Sequence, residues 1–230
     1  MKNYYLRLIV SSAVAGLIMA LAGFELIAMD AQGAFIAGGF IQGFGLLIVL
    51  YFGLYLSTSH LTDVFTSENK KRTIFSLLIA LAINIGVIIA VGYLLRVMTD
   101  EDPGFIASAE KFVSTRIVET HSTQNGKDWY MALISGVMCG VILNLTSTIY
   151  KKHMHAFTRM VVVILGVGIY VVCRLENIMT NTLYIAYAHN WSGGTALDLA
   201  MVLLGNIIGI YLTYFAIKFV TPKPKKANKK

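Results

Sequence analysis

Long apolar stretches separated by polar segments are the feature that most limits how this chain can fold. Six stretches are predominantly apolar, near residues 8–29, 33–56, 74–98, 130–150, 160–188 and 196–220. A helix needs about 20 such residues to cross the hydrocarbon layer of a bilayer. Only 13% of the 230 residues are charged, whereas a soluble domain has about 25%. The sequence therefore predicts an all-α membrane protein with six transmembrane helices in one domain, residues 1–220, followed by a basic, disordered cytoplasmic tail, residues 221–230.

The charges of the connecting segments predict the orientation in the membrane. Basic clusters lie at residues 70–72, at residues 151–159 and in the tail, whereas the segment after the third stretch begins with Asp100, Glu101 and Asp102. Loops rich in lysine and arginine face the cytoplasm. We therefore expect a multi-pass protein of the cell (inner) membrane with both termini in the cytoplasm. The basic tail is interpreted as a topology signal near anionic lipid and not as a nucleic-acid site.

Two of the apolar stretches contain polar residues at membrane depth. The second stretch leads after Leu56 into residues 57–63, Ser-Thr-Ser-His-Leu-Thr-Asp, and the fifth contains Arg174, Glu176 and Asn177. Non-helical backbone at this depth survives only where protein or a water-filled cavity satisfies it. Interrupted helices at matching places in two halves of a chain indicate a transport site.

The two halves also share an asparagine pattern. Asn84 lies 27 residues after Ser57, and Asn206 lies 29 residues after Asn177. This pattern predicts an inverted 3+3 repeat with broken helices in spans two and five, each asparagine bonding the freed backbone of a neighbouring broken helix. An alternative interpretation is a small-residue packing motif, since Gly205 and Gly209 have the spacing of close helix contacts.

Four motifs in order along the chain are similar to those of one transporter family. They are Gly45-Leu46-Leu47-Ile48-Val49 through Gly53, Leu56 and Thr58-Ser59; Gly136 with Cys139; Glu176-Asn177 through Thr180-Asn181; and Leu204-Gly205-Asn206-Ile207-Ile208-Gly209. On these residues the chain resembles the formate/nitrite transporter family. The resemblance implies an aquaporin-like bundle assembled as a homopentamer, with one pore per protomer. It implies passage of formate, nitrite, hydrosulfide, acetate or lactate through a vestibule between two apolar constrictions.

The resemblance also assigns pore positions, and several residues depart from the family pattern. Asn177 stands where the family has its central histidine, Ser57 replaces a constriction phenylalanine, and Gln42 stands where a pore aromatic is common. Leu46 and Tyr170 keep bulk at the other constriction positions. Lys127 is the first candidate for the family's vestibule lysine, and Lys111 is the second.

The replacement of histidine by asparagine has a direct chemical consequence. Histidine can relay a proton near neutral pH, whereas the amide of Asn177 can only donate and accept hydrogen bonds. Thr58 is the expected partner that orients this amide. His60 either takes over the missing proton relay or only packs in its loop. Arg174 either attracts the anion directly or forms an ion pair with Glu176.

These residues favour a membrane channel for a small monovalent anion, most of all formate, with weak or no proton coupling. The alternatives on the same scaffold are a proton-coupled lactate or acetate transporter, a nitrite or hydrosulfide channel, and a structural relative without a working pore. A neutral-solute pore of the aquaporin type is a further alternative, although its asparagine-proline-alanine boxes are absent. The order of residues suggests no catalytic triad and no metal-ligand cluster, so we expect neither an enzyme nor a cofactor.

Overall fold

The computed structural model describes residues 2–99, 102–118, 126–152 and 155–221. These residues form helices α1 (Lys2–Ala31), α2 (Phe35–Tyr51), α3 (Ser57–His60), α4 (Asp63–Thr66), α5 (Lys70–Met98), α6 (Pro103–Ser114), α7 (Trp129–Lys151), α8 (Ala156–Val172), α9 (Ile178–Tyr187) and α10 (Gly193–Val220). The predicted all-helical class is confirmed. Asp100, Glu101 and the tail after Thr221 lie outside the described residues.

The helices fall into two lengths. Four of them, α1, α5, α7 and α10, are long and apolar enough to cross a membrane. Helices α2 and α8 are equally apolar in character but have only 17 residues each. At a rise of 1.5 Å per residue they reach about 25 Å, which is less than the hydrocarbon thickness of about 30 Å.

Helices α2 and α8 both end where the chain turns away from helical backbone. Helix α2 is followed by the non-helical residues Phe52–Leu56, and α8 is followed by Cys173–Asn177. Each segment contains a left-handed residue, Gly53 with φ 61° and Arg174 with φ 56°. A residue in this conformation changes the direction of the chain locally. Arg174 adopts it although a residue with a Cβ atom rarely does. Short helices α3 and α9 then continue the fold.

Close packing brings the two halves of the chain together. Helix α1 packs on α2 and α5, α7 packs on α8 and α10, and α2 packs on α8 across the halves. The α7–α10 contact is made through small residues, since a Cβ added at Gly205 or Gly209 would meet the carbonyl oxygen of Leu133 or Val137. Close backbone approach of this kind is how membrane helices gain packing contacts.

Two sides of the bundle can be distinguished by which helix ends they contain. Helices α1 and α5 begin on one side of the bundle, and α7 and α10 end on that same side, which we call the terminus side. The opposite side contains α6 and is called the loop side. Helix α6 lies in the connection between the third and fourth apolar stretches. Its residues Ala109, Phe112 and Val113 are buried, and α6 packs on α1 and α9.

Candidate functional site

The side chain of Asn84 holds the non-helical segment after α2. Its Oδ1 atom accepts a hydrogen bond from the Ser57 N–H at 2.9 Å. Its Nδ2 atom donates to the carbonyl oxygens of Ser12 at 2.7 Å and Tyr55 at 3.3 Å. Asn84 is fully buried, so these three bonds satisfy backbone groups that water does not reach.

Asn206 makes the same kind of contact with the segment after α8. Its Oδ1 atom accepts a hydrogen bond from the Ile178 N–H at 3.1 Å. Its Nδ2 atom donates to the carbonyl oxygens of Glu176 and Gly136, both at 2.9 Å. Asn84 and Asn206 therefore hold the non-helical segments after α2 and α8 with equivalent sets of bonds.

Three cavities follow one another across the bundle. The loop-side mouth, of about 40 Å³, is lined by residues that include Asp30, Phe35, Lys111, Arg116, Tyr170 and Arg174. The central chamber, of about 10 Å³, is lined by residues that include Met19, Leu46, Leu56, Thr58, Tyr170 and Asn177. The terminus-side cavity, of about 510 Å³, is lined by residues that include Thr58, Asp63, Ser147, Lys151, Lys152 and Lys218.

Neighbouring cavities share lining residues, so they lie in series. Tyr170 borders both the loop-side mouth and the central chamber. Thr58, Ser59 and Ser147 border both the central chamber and the terminus-side cavity. The chamber has room for only about one water-sized body, which makes it the narrow part of the series.

Gln42 lies on the face of α2 between Phe35, which lines the mouth, and Leu46, which lines the chamber. It is fully buried, and neither its amide nitrogen nor its amide oxygen has a hydrogen-bond partner. Ser57, expected at a constriction, is buried beside the chamber residue Thr58, and its hydroxyl likewise has no partner. Gln42 and Ser57 thus hold buried polar groups without hydrogen-bond partners close to the chamber, although neither residue lines one of the three cavities.

Asn177 lines the central chamber as the N-cap of α9. Its Oδ1 atom accepts a hydrogen bond from the Met179 N–H at 2.8 Å, and its Nδ2 atom faces the sulfur of Cys139 at 4.0 Å. The expectation that Thr58 orients this amide is wrong. Thr58 lines the same chamber, but the backbone of α9 fixes the amide, because an N-cap oxygen bonds the nearest free N–H groups of its own helix.

A charged network lies next to Asn177. Glu176 forms an ion pair with Lys127, and the Lys127 ammonium also lies 2.6 Å from Asp198. The Asn181 amide donates to Glu176 at 2.8 Å and to Asp198 at 3.0 Å, and it accepts from Arg116 at 2.8 Å. All five side chains are largely buried, since Lys127, the most open, is 15% exposed.

Of the two interpretations of Arg174, the ion pair with Glu176 is wrong. Glu176 takes Lys127 as its partner, whereas Arg174 lines the loop-side mouth with its guanidinium 5.8 Å from the ring centre of Phe35. The left-handed backbone at Arg174 separates the two side chains. Lys111, the second candidate for a vestibule lysine, also lies in the mouth and bonds both oxygens of Asp30, at 2.9 and 3.1 Å.

His60 lies on the terminus side at the end of α3. Its Nδ1 atom is 2.8 Å from Asp63 Oδ2, and its ring stacks on Tyr55 with centres 4.3 Å apart. Burial acts to raise the pKa of the Asp63 carboxyl, but the hydrogen bond and charge of His60, together with Lys151, hold that pKa below its ordinary value. These contacts hold the His60 side chain against Asp63 and Tyr55, within the segment that contains α3 and α4.

Three members of the charged network were missed by sequence reasoning: Arg116, Asn181 and Asp198. One of them carried a usable signal, because Asp198 is a carboxylate inside the sixth apolar stretch. An ionisable residue within a membrane helix normally has a partner or a function. Nothing in the sequence indicates that Arg116 and Lys127, which lie between α6 and α7, reach the same place.

An all-helical fold with cavities in series across its apolar bundle is that of a membrane transport protein. A family model described as "Formate/nitrite transporter" matches residues 1–219. The chain therefore belongs to the formate/nitrite transporter family, as the motifs predicted, and it is a multi-pass membrane transport protein and not an enzyme.

Two solved structures have a similar fold. One, described as "Pentameric formate channel with formate bound", has a TM-score of 0.76 at 17% sequence identity and covers 96% of this chain and 100% of that chain. The other, described as "FNT family ion channel", has a TM-score of 0.78 at 17% identity and covers 96% of this chain and 92% of that chain. No curated protein sequence matches significantly.

Proposed function

We propose that the protein is a channel for a small monovalent anion, with formate favoured, and that it has weak or no proton coupling. The observation that carries this proposal is the amide of Asn177 in the narrow chamber between the loop-side mouth and the terminus-side cavity. The amide nitrogen can donate hydrogen bonds to a carboxylate, but an amide neither binds nor releases a proton near neutral pH. Asn177, Thr58, Leu46, Tyr170, Gln42 and Ser57 form the path in this proposal.

The charges on both sides support an anion as the transported species. Moving a bare anion into apolar surroundings is very costly unless charges or hydrogen-bond donors replace its water. Lys111, Arg116 and Arg174 line the loop-side mouth, where Asp30 pairs with Lys111, so cations are in excess there. The terminus-side cavity contains Lys151, Lys152 and Lys218 against one carboxylate, Asp63. These cations raise the local anion concentration at each entrance.

The proposal also includes the number of membrane spans, the oligomeric state and the orientation in the membrane. Helices α2 and α3 form one interrupted span and α8 and α9 another, so that with α1, α5, α7 and α10 the protein has six spans in an inverted 3+3 repeat. One of the two similar structures is a pentameric formate channel, which supports a homopentamer here. The basic clusters at residues 70–72 and 151–152 support a cytoplasmic terminus side, and the proposal assigns the protein to the cell (inner) membrane.

Proteoliposomes loaded with purified protein provide the test. We expect labelled formate to reach equal concentrations on the two sides of the membrane, with no accumulation when a proton gradient is imposed. Accumulation of formate in proportion to an imposed proton gradient would show coupled transport and would contradict the proposal. Absence of formate flux from well-assembled protein would instead support a structural relative without a working pore.

Size discriminates among the alternative substrates. The chamber of about 10 Å³ must widen for any anion, and it must widen more for lactate than for formate, nitrite or hydrosulfide. Competition of labelled formate flux by each anion therefore ranks the candidates. A neutral-solute pore predicts that urea or glycerol permeates and that no anion competes.

Replacing Arg174 by glutamine is expected to lower formate flux severalfold at low ionic strength. The loss should shrink as salt is added, because the charge acts at long range through solvent and the screening length is about 10 Å at 0.1 M salt. Flux measured over a salt series checks this. Lys71→Gln, which removes an exposed cation at the start of α5, is the control. An Arg174→Gln effect that is equal at all salt concentrations would contradict electrostatic attraction.

Replacing His60 by glutamine is expected to leave the pH profile of formate flux unchanged. His60 contacts Asp63 and Tyr55, and in this proposal it carries no proton for the anion. Flux of the wild type and of His60→Gln at a series of pH values, equal on both sides of the membrane, checks this. A pH profile of formate flux that is flat in His60→Gln but not in the wild type would show that His60 takes the role of the family's central histidine.

A further inference from the structure

Two buried carboxylates share the same donors in the charged network beside the chamber. The Asn181 Nδ2 atom donates to Glu176 Oε2 at 2.8 Å and to Asp198 Oδ2 at 3.0 Å. The Lys127 ammonium contacts Glu176 Oε1 and Asp198 Oδ1. Because one nitrogen of each donor reaches both groups, the two carboxylates must lie within a few ångströms of each other.

Among the described residues, Lys127 is the cation that contacts both carboxylates of this pair. Asp198 is completely buried, and the ammonium that lies 2.6 Å from its Oδ1 atom also pairs with Glu176. The second cation, Arg116, bonds the amide oxygen of Asn181 and neither carboxylate. Like charges held this close favour a state in which one of the pair is protonated.

The pair lies at the barrier of the path. Leu175, which precedes Glu176, lines the loop-side mouth, and Asn177, which follows it, lines the central chamber. Arg116 and Thr180 also line the mouth, so water in the mouth lies next to the network. Among the described residues, the charged groups that face the pair are Lys127 and Arg116. The other titratable groups nearby in that part of the chain are Tyr184, whose ring centre lies 4.9 Å from the Arg116 guanidinium, and the Cys139 thiol, which faces Asn177.

We propose that Glu176 and Asp198 form a proton-binding site beside the narrowest part of the path, at which the two carboxylates share one exchangeable proton. The proton comes from water in the loop-side mouth and binds a carboxylate oxygen, with no other bond made or broken. With both carboxylates ionised the network of Lys127, Arg116, Glu176 and Asp198 is neutral, and with one proton bound its charge is +1. The proton stays on the protein and does not travel with the anion.

The bound proton sets how readily an anion passes, and this consequence rests on the function proposed above. A charge of +1 beside the barrier lowers the energy of an anion there, so formate flux rises as the pH falls. For an assumed separation of about 10 Å and an effective dielectric constant of about 20, a unit charge changes the rate roughly tenfold. Asp198→Asn fixes the network at +1 with little change of shape. It is expected to keep the higher flux at every pH.

The binding of the proton can be tested without any transport. Infrared difference spectra between acidic and alkaline buffer, recorded on the purified full chain, show the carbonyl band of protonated carboxyl groups. We expect a titrating band that is lost in both Asp198→Asn and Glu176→Gln and is kept in Glu68→Gln, which alters an exposed carboxylate. Gel filtration checks that each variant is assembled, and two variants at different positions guard against misfolding of one.

The same preparations in proteoliposomes, with equal pH on both sides, give the second measurement. Wild type and Glu68→Gln should lose formate flux as the pH rises, whereas Asp198→Asn should not. If neither network variant loses a titrating band that the wild type shows, the proton site is overturned. So would an unchanged pH profile of flux in Asp198→Asn. A band that behaves as expected in protein without formate flux would uphold the site and contradict the proposed channel function.

Discussion

Replacing Asn206 by leucine is expected to destabilise the folded protein by roughly 3 kcal/mol or more. The amide makes three bonds to backbone groups, the Ile178 N–H and the carbonyl oxygens of Glu176 and Gly136. Leucine has a similar size but satisfies none of these groups. Each buried group left without a partner costs about 1–3 kcal/mol, and lipid offers no water to replace the lost bond.

Thermal unfolding of detergent-purified protein, followed by gel filtration, measures this loss. The matched control is Asn144→Leu, since Asn144 is also buried in a membrane helix but its amide nitrogen has no partner. We expect Asn144→Leu to lower Tm only slightly and Asn206→Leu to abolish the assembled peak near room temperature. Equal Tm losses in the two variants would contradict the role of Asn206 as a support for the segment after α8.

The long helices could be predicted from the sequence because their cause is local. A helix of about twenty apolar residues is stable in lipid whatever its neighbours are. Helices α1, α5, α7 and α10 follow that rule. The polar segments after Leu56 and around Glu176 marked the ends of α2 and α8 for a related reason, since exposed polar groups are not tolerated in lipid.

The partners inside the site could not be predicted, because they come from segments that are distant in sequence. Arg174 was weighed as the partner of Glu176 because the two residues are close along the chain. The structure places Lys127, 49 residues away, on that carboxylate instead. No periodicity links Lys127, Glu176 and Asp198, since the first two lie in non-helical segments whose course depends on the whole bundle.

Thr58 and Asn177 show a second limit of sequence reasoning. Both line the central chamber, so their proximity could be inferred from the family motifs. The direction of the Asn177 amide could not, because a residue that precedes a helix tends to cap it. Capping turns the amide oxygen toward Met179 N and leaves the amide nitrogen, the only donor of this side chain, available to the chamber.

This division of roles in Asn177 leads to the variant with the largest expected effect on transport. Asn177→Asp keeps an oxygen that can cap α9, so we expect it to fold, but it replaces the donor by a second negatively charged oxygen. A formate ion about 4 Å away would be repelled by about 4 kcal/mol at an effective dielectric constant of 20. Each 1.36 kcal/mol is a tenfold change in rate.

We therefore expect Asn177→Asp to reduce formate flux at least about a hundredfold near neutral pH. The measurement is labelled formate exchange in proteoliposomes, with Asn190→Asp, an equivalent change at an exposed residue on the loop side, as the control. Because Asn190→Asp adds the same charge far from the chamber, it should keep most of the flux. If Asn177→Asp conducts formate nearly as well as Asn190→Asp, the anion does not pass the Asn177 side chain, and the path through the three cavities is refuted.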